Sequence, residues 1–426
     1  MGVKNLKKFI RERYPNEIQK MNLSDFYGQI FMMDIMSYIY KFKVSMQERW
    51  LQSVINLIKI FKLNNVHVNI VFEGESPVEK NKEREQRREQ RKKQEQKITD
   101  VKDDIDKYHQ TGIISDLLKE VIQKINQTDT EKVNRLLHFN NNSLSKDTNS
   151  SQIPLTINYK TLEQIEEYLD KKENQLVIVT EQDANKIKDI CDVFGVPYFQ
   201  SENEAETLCC RMCLNVKDNL FQNGTEQINK RRIPIGVISE DSDVLAYGAN
   251  MLLCDLNISN GECNVIYLPS LLKTMELTYN EFLDFCILSG TDYNNNIPGI
   301  GSVKCLDFIN KHHSIENIFS NEEKLIEKKI NDALKKKKEK GVKNKNSEND
   351  ENGENELIDD DITPQKLYQD MKRAREMFGS IEKSHNKSQY WDSNINFNKV
   401  CEYSLRYNID PKSIEKLWLN DIKLKK

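Results

Sequence analysis

Short apolar runs alternate along the chain with stretches in which apolar side chains recur every three or four positions. The first pattern predicts buried strands and the second amphipathic helices. At the start, Leu6, Phe9 and Ile10 share one helical face. QIFMMD (29–34) reads as a strand closed by Asp34, IMSYIYKF and WLQSVINLIKIFKL as helices, and VHVNIVFE as a second strand ending on Glu73. Further on, QLVIVT (175–180) predicts a strand, DANKIKDICDVFG a helix, and VPYF an extended stretch. SENEAETLCCRMCL opens a helix, IPIGVIS (233–239) is a strand running into EDSD, and FLDFCILSGTDY is a helix ending at Asp292. Such alternation predicts an α/β fold: a central, mostly parallel, twisted sheet flanked by helices on both faces.

Three stretches break the pattern. Nine Lys and Arg lie between Lys80 and Lys97, interleaved with Glu83, Glu85, Glu89 and Glu95 and with no apolar face. A helix there has nothing to bury, so it projects into solvent or gains order from a partner. Residues 126–160 are rich in Asn, Ser and Thr and predict a flexible insertion. Residues 335–362 run from basic to acidic and predict a disordered charged linker. The expected organisation is therefore an N-terminal region (1–125), the insertion (126–160), an internal region (161–334), the linker (335–362) and a helical tail (363–426).

Composition adjusts this picture only slightly. At 426 residues, 38% apolar and 31% charged, the chain has room for a large core and for solvated insertions. A net charge of -4 gives no global sign of a nucleic-acid partner, so such a reading must rest on local basic patches. The nine cysteines are scattered. The tightest group, Cys209, Cys210 and Cys213, lacks the second ligand pair of a zinc knuckle. It reads as buried thiols, which fits a reducing, intracellular compartment. No signal peptide is recognised, and no apolar run approaches the ~20 residues of a membrane span, so no membrane partner is expected.

The acidic residues change the picture most. In parallel α/β sheets the functional crevice lies beyond the carboxyl ends of the strands. Asp34, Glu73, Asp241 and Asp243 follow apolar strands, Glu204 and Glu206 open the helix after VPYF, and Asp292 closes a helix. Singly, each is more often a helix cap or turn residue. Brought together, seven carboxylates cannot all ionise without cations. With no His or Cys sharing their spacing, they call for hard ions such as Mg²⁺, or Mn²⁺ in its place. The residues alone thus point to metal-dependent phosphoryl transfer.

The motifs MGVKNLKKFI, MMDIMSYIYKF, VFEGESPVEK…RR, VPYFQSENEAETLC, ISEDSDVLAYG and CILSGTDYNNNIPGIG follow one another in the order seen in the flap endonucleases. Over roughly residues 1–100 and 175–320 the chain resembles that family of structure-specific 5′ nucleases, and more loosely the XPG-type repair nucleases. The resemblance implies a PIN-like 5′ nuclease fold with a helical arch at about 80–125 and a helix–two-turn–helix motif at about 285–312. It implies that Asp34, Glu73, Glu204, Glu206, Asp241, Asp243 and Asp292 hold two Mg²⁺ ions that clamp the scissile phosphate. It assigns catalytic roles to Lys80 and Arg87 at the base of the arch, with Arg88 beside them on DNA. Tyr40 matches an aromatic that stacks on a base near the cut, and Gly2 becomes the N-terminus if Met1 is removed. Gly299 and Gly301 let the backbone approach a duplex phosphate, Lys304 adds charge, and the same turn holds K⁺ in the family.

The implied activity is 5′ flap endonuclease and 5′→3′ exonuclease action in DNA replication, repair or recombination, by a monomer on branched or flapped DNA. Nucleus or viral replication site is the matching location. Three alternatives remain open: a bubble or four-way-junction nuclease, an inactive DNA-binding or scaffold protein, and a ribonuclease on a similar fold. Two departures stand out. Glu73 occupies a position where the family usually has Asp, and the end of the chain lacks the glutamine-led peptide with paired aromatics that recruits a sliding clamp.

Overall fold

The computed structural model describes residues 3–126, 159–222, 233–343, 362–379, 389, 391, 397–407 and 409. Strands form where the apolar runs are continuous. They are β1 (Ile18–Asn22), β2 (Ile30–Asp34), β3 (His67–Phe72), β4 (Tyr198–Gln200), β5 (Pro234–Ile238), β6 (Met251–Cys254) and β7 (Glu262–Tyr267). They make one sheet in the order β1-β7-β6-β5-β2-β3-β4. From β6 through β4 every pairing is parallel, and β7 and β1 add an antiparallel edge.

The helices of the first half are α1 (Leu6–Arg13), α2 (Met36–Met46), α3 (Trp50–Leu63), α4 (Asn81–Thr111), α5 (116–126), α6 (Tyr159–Asn174) and α7 (Glu181–Phe194). Those of the second half are α8 (Ala205–Gln222), α9 (Asp243–Ala246), α10 (Leu268–Met275), α11 (Tyr279–Ser289), α12 (Ser302–His312), α13 (Ile315–Asn321), α14 (Glu323–Lys343), α15 (Pro364–Gly379) and α16 (Phe397–Tyr407).

Alternation along the strands sorts side chains into two layers. Met32, Val71, Val237, Leu252 and Ile266 pack with α1, α8, α11, α12 and α15. Phe31, Met33, Ile70, Phe72, Ile238 and Leu253 pack with α2, α3, α7 and α16 on the other face. The central strands are therefore covered on both sides, which is why their sequences are apolar throughout rather than alternating. Cys209, Cys210 and Cys213 are buried free thiols inside the first layer.

The contacts divide the chain into two units, Met1–Phe42 with Arg49–Glu83 and Val179–Lys426, and Lys43–Glu48 with Arg84–Ile178. The sheet belongs wholly to the first. The second has its own small core, in which Ile98 and Val101 of α4 meet Leu118, Val121 and Ile122 of α5 and Ile165 and Leu169 of α6. Helix α4 is 31 residues long, about 46 Å at the standard rise. None of its described side chains is buried before Ile98, in keeping with the charged, faceless stretch from Lys80 to Lys97.

Several sequence expectations need correction. QLVIVT forms no strand: Ile178 is 55% exposed, and Thr180 instead closes a capping box with Asp183 that starts α7. Strands β1, β6 and β7 escaped notice because IQKMN is largely polar, MLLC is four residues long and ECNVIY begins with charge. The linker does not begin at 335, since the lysine run continues α14 to Lys343. Lysines in the last turns of a helix meet its negative dipole end, which favours this continuation. Residues 127–158 of the insertion and 344–361 of the linker lie outside the described residues.

Candidate active site

The crevice forms where the strand order reverses. From β2 the chain steps to β3 and β4 on one side, then returns to β5 on the other, so loops diverge beyond the carboxyl ends of β2 and β5. Asp34, the last residue of β2, is buried there. Its Oδ1 accepts from the Met36 N–H at 2.9 Å and its Oδ2 from the Ser239 hydroxyl at 3.3 Å. Ser239 follows β5, and its hydroxyl in turn accepts from the Asp241 N–H at 3.0 Å. Asp241 Oδ1 accepts from the Asp243 N–H at 3.0 Å, and Asp243 Oδ1 accepts from the Val3 N–H at 2.5 Å. The EDSD segment is thus wound into consecutive tight turns that hold Asp241 beside Asp34 and Asp243 beside Asp241. Val3 brings the start of the chain to the same place, although Gly2 itself lies outside the described residues.

The exit from β3 delivers the next group. Glu73 is exposed one residue past the strand, and its carbonyl accepts from Gln200 Nε2 at 2.6 Å. The Gly74 N–H donates to the Asn203 carbonyl at 2.7 Å. A Cβ on Gly74 would stand 2.2 Å from the Ser201 carbonyl oxygen, so only glycine lets the chain cross this closely. That crossing sets the start of α8, and with it Glu204 and Glu206, against the carboxyl edge of the sheet.

At the far end of the crevice a lysine sits among the carboxylates. Lys80 Nζ pairs with Glu204 Oε1 and lies 3.4 Å from Asp292 Oδ2. Glu204 is buried, and its Oε2 accepts a hydrogen bond from Tyr293, with the Tyr247 oxygen 3.3 Å away. The two phenol oxygens are 2.5 Å apart, and Lys80 Nζ lies 5.2 Å from the centre of the Tyr293 ring.

Burial and crowding shape the charges. Burial first, then the charges of Glu73 and Asp241, push the Asp34 carboxyl up to about 6. Glu206 is raised well above its usual value by burial and then by Asp34 and Asp241. Asp243 is raised well above its usual value by burial and then by Asp241 and Asp292. Asp241 is raised as well, chiefly by burial. For Lys80, burial opposes the charge, but Glu204, Tyr293 and Asp292 outweigh it and hold the ammonium protonated.

The donor set suits a hard divalent ion, since it is built only of carboxylate oxygens whose mutual repulsion a cation would relieve. Among the described residues no three of these side chains converge as ready-made ligands. Lys80 takes up Glu204 and Asp292, leaving Asp34, Glu206, Asp241 and Asp243, with Glu73 at the rim, as the donors best placed for metal.

The structure therefore gathers all seven predicted carboxylates and Lys80 around one crevice. Tyr40 is half-buried on α2. Arg87 and Arg88 are exposed on α4 in the second unit. Gly299, Gly301 and Lys304 are exposed at the α11–α12 connection, where Gly299 has φ +68. That connection is pinned by Asn294, whose Nδ2 donates to the Ile287 carbonyl at 2.8 Å. Sequence reasoning missed Ser239, Tyr247 and Tyr293, and also Glu240, which pairs with Lys7 and Lys41. The available signal was adjacency: Tyr293 follows Asp292 directly and Tyr247 lies one helical turn after Asp243.

Comparison with known proteins agrees with this geometry. Residues 1–94 match the XPG N-terminal domain and residues 225–292 the XPG I-region. The chain is 28% identical over 338 residues to a probable RAD2-like endonuclease 369L of Invertebrate iridescent virus 6, covering 75% of this chain and 73% of that protein. It is 35% identical over 160 residues to flap endonuclease 1 of Aedes aegypti, covering 37% of this chain and 38% of that protein. Among solved structures, the catalytic core of Rad2 in complex with DNA substrate shares the fold, with TM-score 0.55 and 16% identity over 96% of this chain and 98% of that one. The two XPG matches carry Asp34, Glu73 and Lys80 on one side and Asp241, Asp243 and Asp292 on the other side of one acidic crevice, so the chain is similar to the XPG-type 5′ nucleases in the regions that build it.

Proposed function

We propose that this protein is a divalent-metal-dependent nuclease that hydrolyses phosphodiester bonds at 5′ flaps and single-strand–double-strand junctions in DNA, with Mg²⁺ as its ion and Mn²⁺ as a substitute. The observation that carries the reading is the crowd of raised carboxylates at the β5-β2-β3 edge with the charged Lys80 beside it. Asp34, Glu206, Asp241 and Asp243 would hold the ions, with Glu73 at the rim. When bound, the ions supply charge neutralisation for the scissile phosphate and a water acidic enough to act as nucleophile at neutral pH.

The protein's own groups supply the rest. Lys80, fixed and protonated, offsets negative charge as it develops on the phosphate. Arg87 and Arg88, exposed cations of α4, suit contacts with DNA phosphates, and Tyr40 offers a face for a base near the cut. The exposed glycine turn at Gly299 and Gly301, with Lys304, suits a phosphate of unbroken duplex and a K⁺ ion in the same turn, which reads shape rather than sequence. Supporting the reading are the two XPG regions and the flap endonuclease likeness of the chain.

The test is a panel of labelled 5′-flap, nicked, bubble and four-way DNA, each incubated with Mg²⁺ or EDTA. Cleavage near the flap base, only with metal and fastest on a free 5′ end, is expected. Binding without cleavage of any substrate under Mg²⁺ or Mn²⁺ would leave a DNA-binding protein instead.

A further inference from the structure

The lysine end of the crevice has more hydrogen-bonding structure than a lysine needs merely to stay charged. Both oxygens of Glu204 are engaged by groups of this chain: Oε1 by Lys80 and Oε2 by the Tyr293 hydroxyl, with the Tyr247 oxygen 3.3 Å from Oε2. Each phenol has one proton. Tyr293 gives its proton to Glu204, so the 2.5 Å contact between the phenols is made by the proton of Tyr247 reaching the Tyr293 oxygen. The order is thus Tyr247 to Tyr293 to Glu204 to Lys80, with the Tyr293 ring also near the ammonium. Such a chain of buried hydrogen bonds leaves its last member little freedom.

Helix α15 backs this arrangement from behind. Phe378, fully buried, packs its ring 4.7 Å from that of Tyr247 and 5.4 Å, edge to face, from that of Tyr293. On the same helix Arg373 grips Glu79, the neighbour of Lys80, through Nε at 3.0 Å and Nη2 at 2.7 Å. Helix α15 is itself anchored by Arg375, which pairs with Asp284 of α11 and with Glu316 of α13 at 2.6 Å. The backbone on one side of Lys80 and the rings beneath its carboxylate partner therefore share one support.

We propose that Tyr247 and Tyr293, backed by Phe378, are positioning residues that fix Lys80 for phosphodiester cleavage by orienting Glu204. The proposal rests on the nuclease reading given above, and it gives a role to tyrosines that lie inside the acidic motifs but are not among their carboxylates. A plain packing role is the alternative, but packing alone would be served equally by phenylalanine. The two hydroxyls are what distinguish the proposal.

The deciding experiment uses the full chain with Tyr293→Phe, Tyr247→Phe, Lys80→Ala and the Tyr293→Phe/Lys80→Ala double variant. Single-turnover cleavage of a 5′ flap should fall about tenfold in Tyr293→Phe and less in Tyr247→Phe, as expected for a catalytic group displaced by a fraction of an ångström. Flap-DNA affinity in EDTA and the Mn²⁺-induced rise in melting temperature should stay at wild-type values. The double variant should be no slower than Lys80→Ala alone, because the tyrosine acts through the lysine. A readout independent of cleavage is acylation of the Lys80 amine, followed by mass spectrometry. Wild type should be protected, and Tyr293→Phe labelled several-fold faster. Equal labelling of the two proteins, or losses that multiply in the double variant, would overturn the proposal. A wild-type protein that cleaves no DNA yet shows the labelling difference would overturn the nuclease reading and leave the lysine clamp standing.

Discussion

The two ends of the crevice manage the same negative charge in opposite ways. At one end burial, and after it neighbouring carboxylates, raise the proton affinity of Asp34, Glu206 and Asp243, and burial that of Asp241, with backbone N–H groups and Ser239 holding them in place. At the other end Glu204 and Asp292 face Lys80, a cation that the protein brings itself. The first end has no counter-charge of its own among these carboxylates, whereas the second carries Lys80. Seven carboxylates that look alike in sequence therefore divide into a group that we propose binds ions and a group that holds a lysine. The division can be broken or sharpened by treating the two ends separately.

The largest effect is expected at the ion-binding end. Asp241→Ala removes a carboxylate and the acceptor that holds the Asp243 N–H, so cleavage should drop below detection. The Mn²⁺-induced rise in melting temperature should shrink with it. A fully active variant would remove Asp241 from the metal site. Lys80→Ala should come next, slowing single-turnover cleavage by on the order of 10²-fold, the usual cost of losing one charge-stabilising group. In that variant the Mn²⁺ effect on melting should persist. If it disappears, the two ends are one site and the comparison fails.

The electrostatics give a third test, with a definite sign. The Asp34 carboxyl is raised from 3.8 to about 6 on folding, so the folded chain binds this proton more tightly than the unfolded one. The stability it contributes is fully present below pH 3.8 and is lost as pH rises through about 6, roughly 3 kcal/mol for this one group at most. In EDTA this group therefore costs stability between those values as pH rises. Divalent ions should restore it, and the melting-temperature gain on adding Mn²⁺ should be larger at pH 7.5 than at pH 5. An equal gain at both would mean that protons and metal do not compete for these carboxylates. The Lys80 end should contribute nothing to the difference, because its ammonium stays charged across the range.

How much of this was legible in the sequence differs between the ends for a physical reason. The ion-binding end follows from strand chemistry: a buried apolar run must stop, and the residue at its stop faces the crevice, so Asp34 and the EDSD turn announce themselves. The alternation of strands and helices was equally plain, while short or polar strands such as MLLC and IQKMN were not. The lysine end depends on contacts across 43 to 124 positions of the chain, from Glu204 to Tyr247 and from Lys80 to Glu204. A tyrosine that holds a carboxylate and one that fills a core are the same letter. Helix α15 illustrates this further: read only as part of a helical tail, it supplies Phe378 and Arg373 to the lysine end.

Glu73 carries the smallest prediction and tests where the ion-binding end stops. Its backbone is pinned by Gln200 on its own carbonyl and by Asn203 on the next N–H, so the chain cannot retreat to accommodate the extra methylene. The adjustment must come from the side chain, which is exposed at the rim. An exposed, adaptable carboxylate tolerates a change of reach that a buried one would not. Glu73→Asp should therefore cleave within about threefold of wild type or faster, well short of the ~10²-fold penalty for displacing a rigidly held group by an ångström. Measured beside Asp241→Ala under the same Mg²⁺ titration, it should leave the half-saturating metal concentration little changed. A loss near 10²-fold would instead place Glu73 among the fixed ligands with Asp34 and Asp241, and extend the ion-binding end of the crevice to the foot of α4.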